Sequence, residues 1–234
     1  MPDHTVTSFD DELKAVAGRV SEMGGLTEVM LSDAISALVR MDKDLARRVI
    51  STDRRVDLLQ HEVEEQTILL IARRQPVAQD LRDVVAAMRI CNDLERVGDL
   101  AKNVAKRVIA IEGAFDSKKF AQGVEHLSEL AQQQMKTVLD AYANRDDEAA
   151  QTVRDRDDEI DALYTSIFRE LLTYMMEDPR QITMCAHLLF CAKNIERIGD
   201  HSTNIAENVI YMVTGTQPMD ERPKVDETSV GAAS

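Results

Sequence analysis

Residues 92–103 read Asn92-Asp93-Leu94-Glu95-Arg96-Val97-Gly98-Asp99-Leu100-Ala101-Lys102-Asn103. Residues 193–204 read Lys193-Asn194-Ile195-Glu196-Arg197-Ile198-Gly199-Asp200-His201-Ser202-Thr203-Asn204. The two segments share Glu-Arg-(Val/Ile)-Gly-Asp with an Asn four residues past the Asp, so Glu, Asp and Asn stand at i, i+4 and i+8. On an α-helix this series is a stripe of oxygen donors that drifts about 40° and climbs about 6 Å per step. A fold for this chain must carry two such stripes on equivalent helices and account for the acid kept on them.

The duplication extends beyond the stripes. Glu95 and Glu196 are offset by 101 residues, Pro76 and Pro179 by 103, and Val56-Asp57 and Ile160-Asp161 by 104. A repeat of this length with short connections predicts an all-α fold of two tandem three-helix bundles with six long helices. The first bundle is expected over 1–113 and the second over 114–215. Residues 216–234, with Pro218, Pro223 and no apolar period, read as a disordered tail.

The helices are expected over 8–41, 44–74, 77–111, 117–143, 148–176 and 180–212. In the first, Phe9, Val16, Met23, Met30 and Ala37 recur every seven residues, with Leu13, Val20, Thr27, Ala34 and Met41 between them. That is an a/d seam, which demands packing against neighbours. Ser8 suits its N-terminus as a cap, and Gly24-Gly25 is either a bend or a packing contact. The second helix is expected to break and restart near Thr52-Asp53. Pro76 is expected in the first turn of the third helix, Gly113 to close that helix, and Gly215 to stop the sixth.

Composition narrows the function classes. A formal net charge of -14 argues against nucleic acid as the partner, because phosphate neutralisation needs a basic surface. Cys91, Cys185 and Cys191 form no C-x-x-C pair and lie in apolar runs, which reads as buried reduced thiols in the cytoplasm. Asp10, Asp11 and Glu12 precede any apolar run, unlike a signal peptide, and no segment approaches the roughly 18 apolar residues of a membrane span.

The second and fifth helices each carry their own acid pair, Asp53 with Asp57 and Asp157 with Asp161. If neighbouring helices are antiparallel, each half sets one carboxylate pair against another. Four carboxylates and an amide together need compensation, and a multivalent cation supplies it. The candidate ligands are Glu95, Asp99, Asn103, Asp53 and Asp57 in the first half, and Glu196, Asp200, Asn204, Asp157 and Asp161 in the second. All-oxygen donors suit Mg²⁺, Ca²⁺, Mn²⁺ or iron better than zinc, with His61 and His201 near enough in sequence to add nitrogen. Gly98 and Gly199, each just before the Asp, point to close backbone approach or access to the stripe. The adjacent Arg96 and Arg197 read as ion-pair partners of nearby acids. A di-iron carboxylate enzyme would need Glu-x-x-His, and the residues three before the five histidines are Met1, Leu58, Gly123, Met184 and Ile198. No glycine-rich phosphate loop is present either. A non-enzyme is therefore expected, with a carboxylate-bundle oxidoreductase or metal-storage protein as the alternative.

The doubled Glu-Arg-(Val/Ile)-Gly-Asp, the turn Arg74-Gln75-Pro76 with Asp80-Leu81-Arg82, Met23-Gly24-Gly25-Leu26, and the run Tyr174-Met175-Met176-Glu177-Asp178-Pro179-Arg180 together resemble the PhoU family. The resemblance spans roughly residues 8–214. It implies a pair of three-helix bundles, often dimeric, that negatively regulates phosphate uptake through the Pst ABC transporter and restrains the two-component system of phosphate starvation. The implied partners are the transporter ATPase and the phosphate-sensing histidine kinase. It also implies iron, zinc or other divalent metal on E/D-x-x-x-D motifs, here Glu95 with Asp99 and Glu196 with Asp200. The pairs beginning at Asp53 and Asp157 have a shorter reach than the Glu also usual there.

Overall fold

The computed structural model describes residues 3–111 and 117–218, with side chains described from residue 9 and, after the gap, from residue 122. The helices are α1 (Asp3–Arg40), α2 (Lys43–Arg74), α3 (Gln79–Ala110), α4 (Ser117–Asn144), α5 (Asp147–Asp155), α6 (Asp157–Glu177) and α7 (Ile182–Thr214), with a 3-10 turn at Pro179–Gln181 before α7. The expected all-α architecture is what forms, with α5 and α6 together making the fifth rod. The disordered-tail expectation for 216–234 falls, from residue 219 onward, outside the described residues, as does the closure at Gly113.

The repeat is visible in the helix ends. Met41 and Arg145 both take a left-handed conformation, at φ 54° and 55°. Beyond them Asp42 and Asp146 cap α2 and α5, the former accepting from the Asp44 and Leu45 amides and the latter from Ala149. Each cap residue's own amide returns to the preceding helix, Asp42 to the Ala37 carbonyl and Asp146 to that of Ala141, both at 2.9 Å. Gly215, at φ 77°, stops α7 as expected and donates to the Tyr211 carbonyl.

Several local expectations are corrected. Helix α1 already runs from Asp3, so Ser8 lies inside it rather than capping it. Gly24-Gly25 does not interrupt α1. A Cβ on Gly24 would lie 2.6 Å from Leu139 Cδ2, so that glycine lets α4 approach α1. Pro76 lies outside any helix, because Gln75 and Ala78 turn the chain with positive φ (50° and 49°) before α3 begins at Gln79. The break expected near Thr52-Asp53 does not occur, since α2 is continuous from 43 to 74. It occurs instead at the equivalent place in the second half, where Arg156 separates α5 from α6. At the break the Arg156 carbonyl accepts from the Glu159 amide at 3.3 Å and from a side chain of α4. Gln134 is buried and its Nε2 donates to the Arg156 carbonyl at 3.0 Å, receiving a group that a continuous helix would have bonded itself. The same 104-residue offset that relates the caps puts Met30 at this position of α1, and Met30 is fully buried and apolar. At that position α1 therefore offers α2 no side-chain donor for a freed carbonyl.

Helices α3 and α7 lie antiparallel against each other and join the halves. Gln79 at the start of α3 donates to the Met212 carbonyl near the end of α7 at 2.8 Å. Arg107 near the end of α3 lies 4.3 Å from the ring centroid of Phe190 in α7. Arg145, from the α4–α5 turn, forks onto Asp83 of α3 at 2.8 and 2.9 Å. One apolar core runs through both halves, with Ile90, Leu94 and Val97 from α3 and Leu188, Ile195 and Ile198 from α7 all fully or almost fully buried. No described helix is long and apolar enough to cross a membrane.

Candidate functional site

The two glycines of the repeat do the same job in each half. A Cβ on Gly98 would sit 3.3 Å from Val56 Cγ1, and one on Gly199 would sit 2.8 Å from Ile160 Cδ1. Val56 and Ile160 are themselves equivalent positions. The glycine therefore draws the stripe-bearing helix against α2 or α6, which accounts for a residue that costs about 1 kcal/mol in a helix interior. Its role is close approach, and this close approach sets the two acid pairs face to face.

In the first half, Asp53 is buried, Asp57, Glu95 and Asp99 are half-buried, and Asn103 is exposed. The cation among them is Lys102, whose Nζ donates to Asp53 Oδ2 and Asp99 Oδ1, both at 2.5 Å. Burial works against the lysine's charge, but these two hydrogen bonds outweigh it and hold its pKa above the usual lysine range. Burial raises the Asp53 carboxyl, an effect that Lys102 opposes. Glu95 is also raised, first by burial and then by the like charge of Asp99, with Arg96 opposing. Arg96 lies 3.4 Å from Glu95 and 3.9 Å from Asp99 as the adjacent ion pair expected of it, with 63% of its side chain exposed.

In the second half, Asp157, Asp161 and Glu196 are buried and Asp200 and Asn204 half-buried. The residue equivalent to Lys102 is Thr203, which brings no charge and donates its hydroxyl to Asp157 Oδ1 at 2.9 Å. A lysine reaches this stripe from the other end, Lys193 donating to Glu196 Oε1 at 2.8 Å with 41% of its side chain exposed. Glu196 itself is 4% exposed, and its Oε2 has no hydrogen-bond partner. Burial is the main reason its pKa is raised; Lys193 opposes the shift, and Asp200 and Asp161 add to it.

Not every candidate joins its stripe in the same way. The Asn204 amide donates to Asp93 Oδ1 of α3 at 3.2 Å, beside His201, whose Nδ1 is 2.9 Å from the same oxygen. His201 thus serves the α3–α7 seam, and His61, with 75% of its side chain exposed, faces Glu64 at 3.7 Å, so neither histidine adds its Nδ1 to a stripe. Among the described residues no three His, Cys, Asp or Glu side chains already stand as a metal-ligating group. Lys102, Lys193, Thr203 and Gln134 are the residues that sequence reasoning passed over. Lys102 had a signal, since a residue three beyond Asp99 shares its helix face.

The family model described as PhoU domain matches residues 20–108 and 124–209, once in each half. The chain is 60% identical over 226 residues to a phosphate-specific transport system accessory protein PhoU homolog of Rhizobium meliloti (strain 1021), covering 97% of this chain and 95% of the relative. A homolog of the same description from Caulobacter vibrioides (strain NA1000 / CB15N) is 48% identical over 229 residues, 98% of this chain and 100% of that one. The crystal structure of PhoU from Pseudomonas aeruginosa superposes with a TM-score of 0.83 at 38% identity, covering 89% of this chain and 100% of that chain. With both repeats matched and relatives aligned almost end to end, the chain belongs to the PhoU family.

Proposed function

We propose that this chain is a non-catalytic accessory protein of a phosphate-specific transport system, acting in the cytoplasm as a helical adaptor. The observation that carries this reading is the alignment of 97% of the chain, at 60% identity, with a relative that bears that description. On this reading the protein lowers phosphate uptake by contacting the transporter ATPase and restrains phosphate-starvation signalling by contacting the sensor kinase, functioning as a homodimer. The long helices α1, α2, α4 and α6 carry exposed residues along their described lengths, on which a protein partner could dock.

The acidic stripes enter this function as sites for a divalent metal or iron ion. Asp53, Asp57, Glu95 and Asp99, with Asn103, would hold it in the first half. Asp157, Asp161, Glu196 and Asp200, with Asn204, would hold it in the second. The chemistry such an ion supplies is charge neutralisation between paired helices, which would stiffen the faces offered to partners. The oxygen-rich donor set suits a hard cation, and the unpartnered Glu196 oxygen is a donor in search of one.

Removing the gene from its host and restoring it on a plasmid tests the regulatory reading. Phosphate uptake and starvation-gene expression should rise in high phosphate on removal and return on restoration. Unchanged uptake and expression, with no capture of the ATPase or kinase by the purified protein, would overturn it.

A further inference from the structure

A cavity of about 390 Å³ opens where the two halves meet, between α1 and α3 of the first half and the ends of α4 and α7. Much of its wall is apolar, from Leu13, Val16 and Ala17 of α1, Ala87 of α3 and Met212 of α7. A space of this size, apolar with a few convergent polar groups, has the form of a small-molecule site. No acid of either stripe lines it.

Its polar groups divide into engaged and open ones. Asp83 is engaged, with Arg145 reaching its two oxygens at 2.8 and 2.9 Å and Gln79 donating to Oδ1 at 2.8 Å. Ser21 donates to the Ala17 carbonyl of its own helix. Tyr142 is open. Its side chain is more than nine-tenths buried, yet its hydroxyl has no hydrogen-bond partner among the described residues. Burial is the main reason its pKa is raised, so the group keeps its proton and remains a donor. Buried polar groups are as a rule hydrogen-bonded, and one left open onto a cavity indicates what the cavity receives. At the mouth stand two exposed charges, Lys14 and Asp10.

The repeat shows that the fold does not require this hydroxyl. At the 104-residue offset the counterparts of Tyr142 and Arg145 are Leu38, which is buried, and Met41. Gly18 adds a second sign. It lies within α1, where glycine is unfavourable, and a Cβ built on it meets nothing within 4 Å. Because Gly18 also lines the cavity, its missing side chain leaves the mouth clear.

We propose that this cavity binds a small amphipathic anion. The apolar body lies against α1, Ala87 and Met212, and an oxygen head accepts from the Tyr142 hydroxyl and faces Lys14 and Arg145. A cationic head would meet only Asp10, since the Asp83 oxygens are already taken by Arg145 and Gln79. A ligand bound here touches both halves beside the Arg145–Asp83 clamp and ties them together. The site is separate from the stripes and does not rest on the transport reading above.

Octanoate is the probe, titrated into the full chain by calorimetry, with thermal unfolding as a second readout. The wild type should bind it saturably and unfold at a higher temperature in its presence. Tyr142→Phe removes only the donor and should weaken binding about fivefold. Gly18→Leu should abolish binding by filling the mouth, yet unfold no earlier than wild type when octanoate is absent. Octylamine, with the same body and the opposite charge, should bind more weakly than octanoate. Inorganic phosphate, which has charge and no apolar body, should not displace it. Absence of saturable octanoate binding by the wild type overturns the site. Binding that survives Gly18→Leu does the same, because the probe then sits elsewhere. Octylamine binding as tightly as octanoate, or displacement by phosphate, overturns the class of ligand, and unchanged binding in Tyr142→Phe overturns the role of the hydroxyl.

Discussion

The stripe on α3 and the stripe on α7 share their acids, their glycine and their approach to the preceding helix, yet their lysines stand at different positions, Lys102 three residues after Asp99 and Lys193 three residues before Glu196. Of the four carboxylates around the α3 stripe only Asp53, on α2, is buried, and Lys102 lies between it and Asp99. Of the four around the α7 stripe, Glu196 and both acids of α6, Asp157 and Asp161, are buried, and Lys193 pairs with Glu196. More burial is the costlier arrangement, since buried charge is tolerated only when paired. A duplicated motif thus does not guarantee duplicated chemistry. At equivalent positions the acids meet the ammonium of Lys102 in one half and the hydroxyl of Thr203 in the other.

The largest effect should come from removing the lysines in turn. Lys102→Met leaves Asp53 and Asp99 facing each other without a cation, and should lower stability by about 2–3 kcal/mol, somewhat under the cost of breaking a fully buried pair because Asp99 keeps a third of its side chain exposed. Lys193→Met should cost about 1 kcal/mol, because 41% of that lysine's side chain is exposed and solvent screens its pair with Glu196. Urea unfolding of both proteins without metal checks the order; equal losses would break the contrast between the stripes.

A smaller effect tests the helix break that belongs to the second half alone. Gln134→Met, which installs the first half's residue, should cost about 1 kcal/mol by removing the stronger of the two hydrogen bonds to the Arg156 carbonyl and leaving it the 3.3 Å bond from the Glu159 amide. Met30→Gln should cost at least as much, because α2 offers no freed carbonyl to receive the amide. If Gln134→Met were neutral in thermal unfolding, the break would have to be attributed to the backbone sequence around Arg156 rather than to α4.

The smallest difference should be none at all. Cys91 of α3 and Cys191 of α7 both have their thiols pushed up to about 12, chiefly by burial. A thiol raised in the folded state stays protonated after the unfolded thiol, near pH 8.5, has ionised. Folded stability therefore falls as pH rises from about 8.5 toward 12, with full contribution retained below that window. Neither cysteine should react with a thiol reagent at pH 8.5 until the protein unfolds, and the two should then react together. Faster native labelling of one would show that the halves differ in their core as well as at their stripes.

Much of this molecule is legible in the sequence. Heptad spacing, turn residues and the offset repeat fix six rods, their order and their approximate ends, because these depend on local propensity and on which face of a helix is apolar. The acid pairs on facing helices were also legible, since an i, i+4 spacing puts both groups on one face whatever the neighbours are. The misplaced break shows where local reading stops. Nothing near Thr52 or Arg156 reveals that the deciding group is an amide on α4, present as Gln134 in one half and absent as Met30 in the other.

Sequence alone determined that two equivalent acidic stripes exist and that a glycine sits within each. Only the tertiary structure decided what the glycines are for, because their contact with Val56 and Ile160 depends on how closely two helices pack. It also decided that Lys102 turns inward to bridge acids of two helices, while Lys193 pairs with the buried Glu196 and keeps 41% of its side chain exposed. The reason is physical: whether a charged side chain meets water or another charge depends on distances between helices, and those distances are set by the whole core rather than by any single stretch of chain.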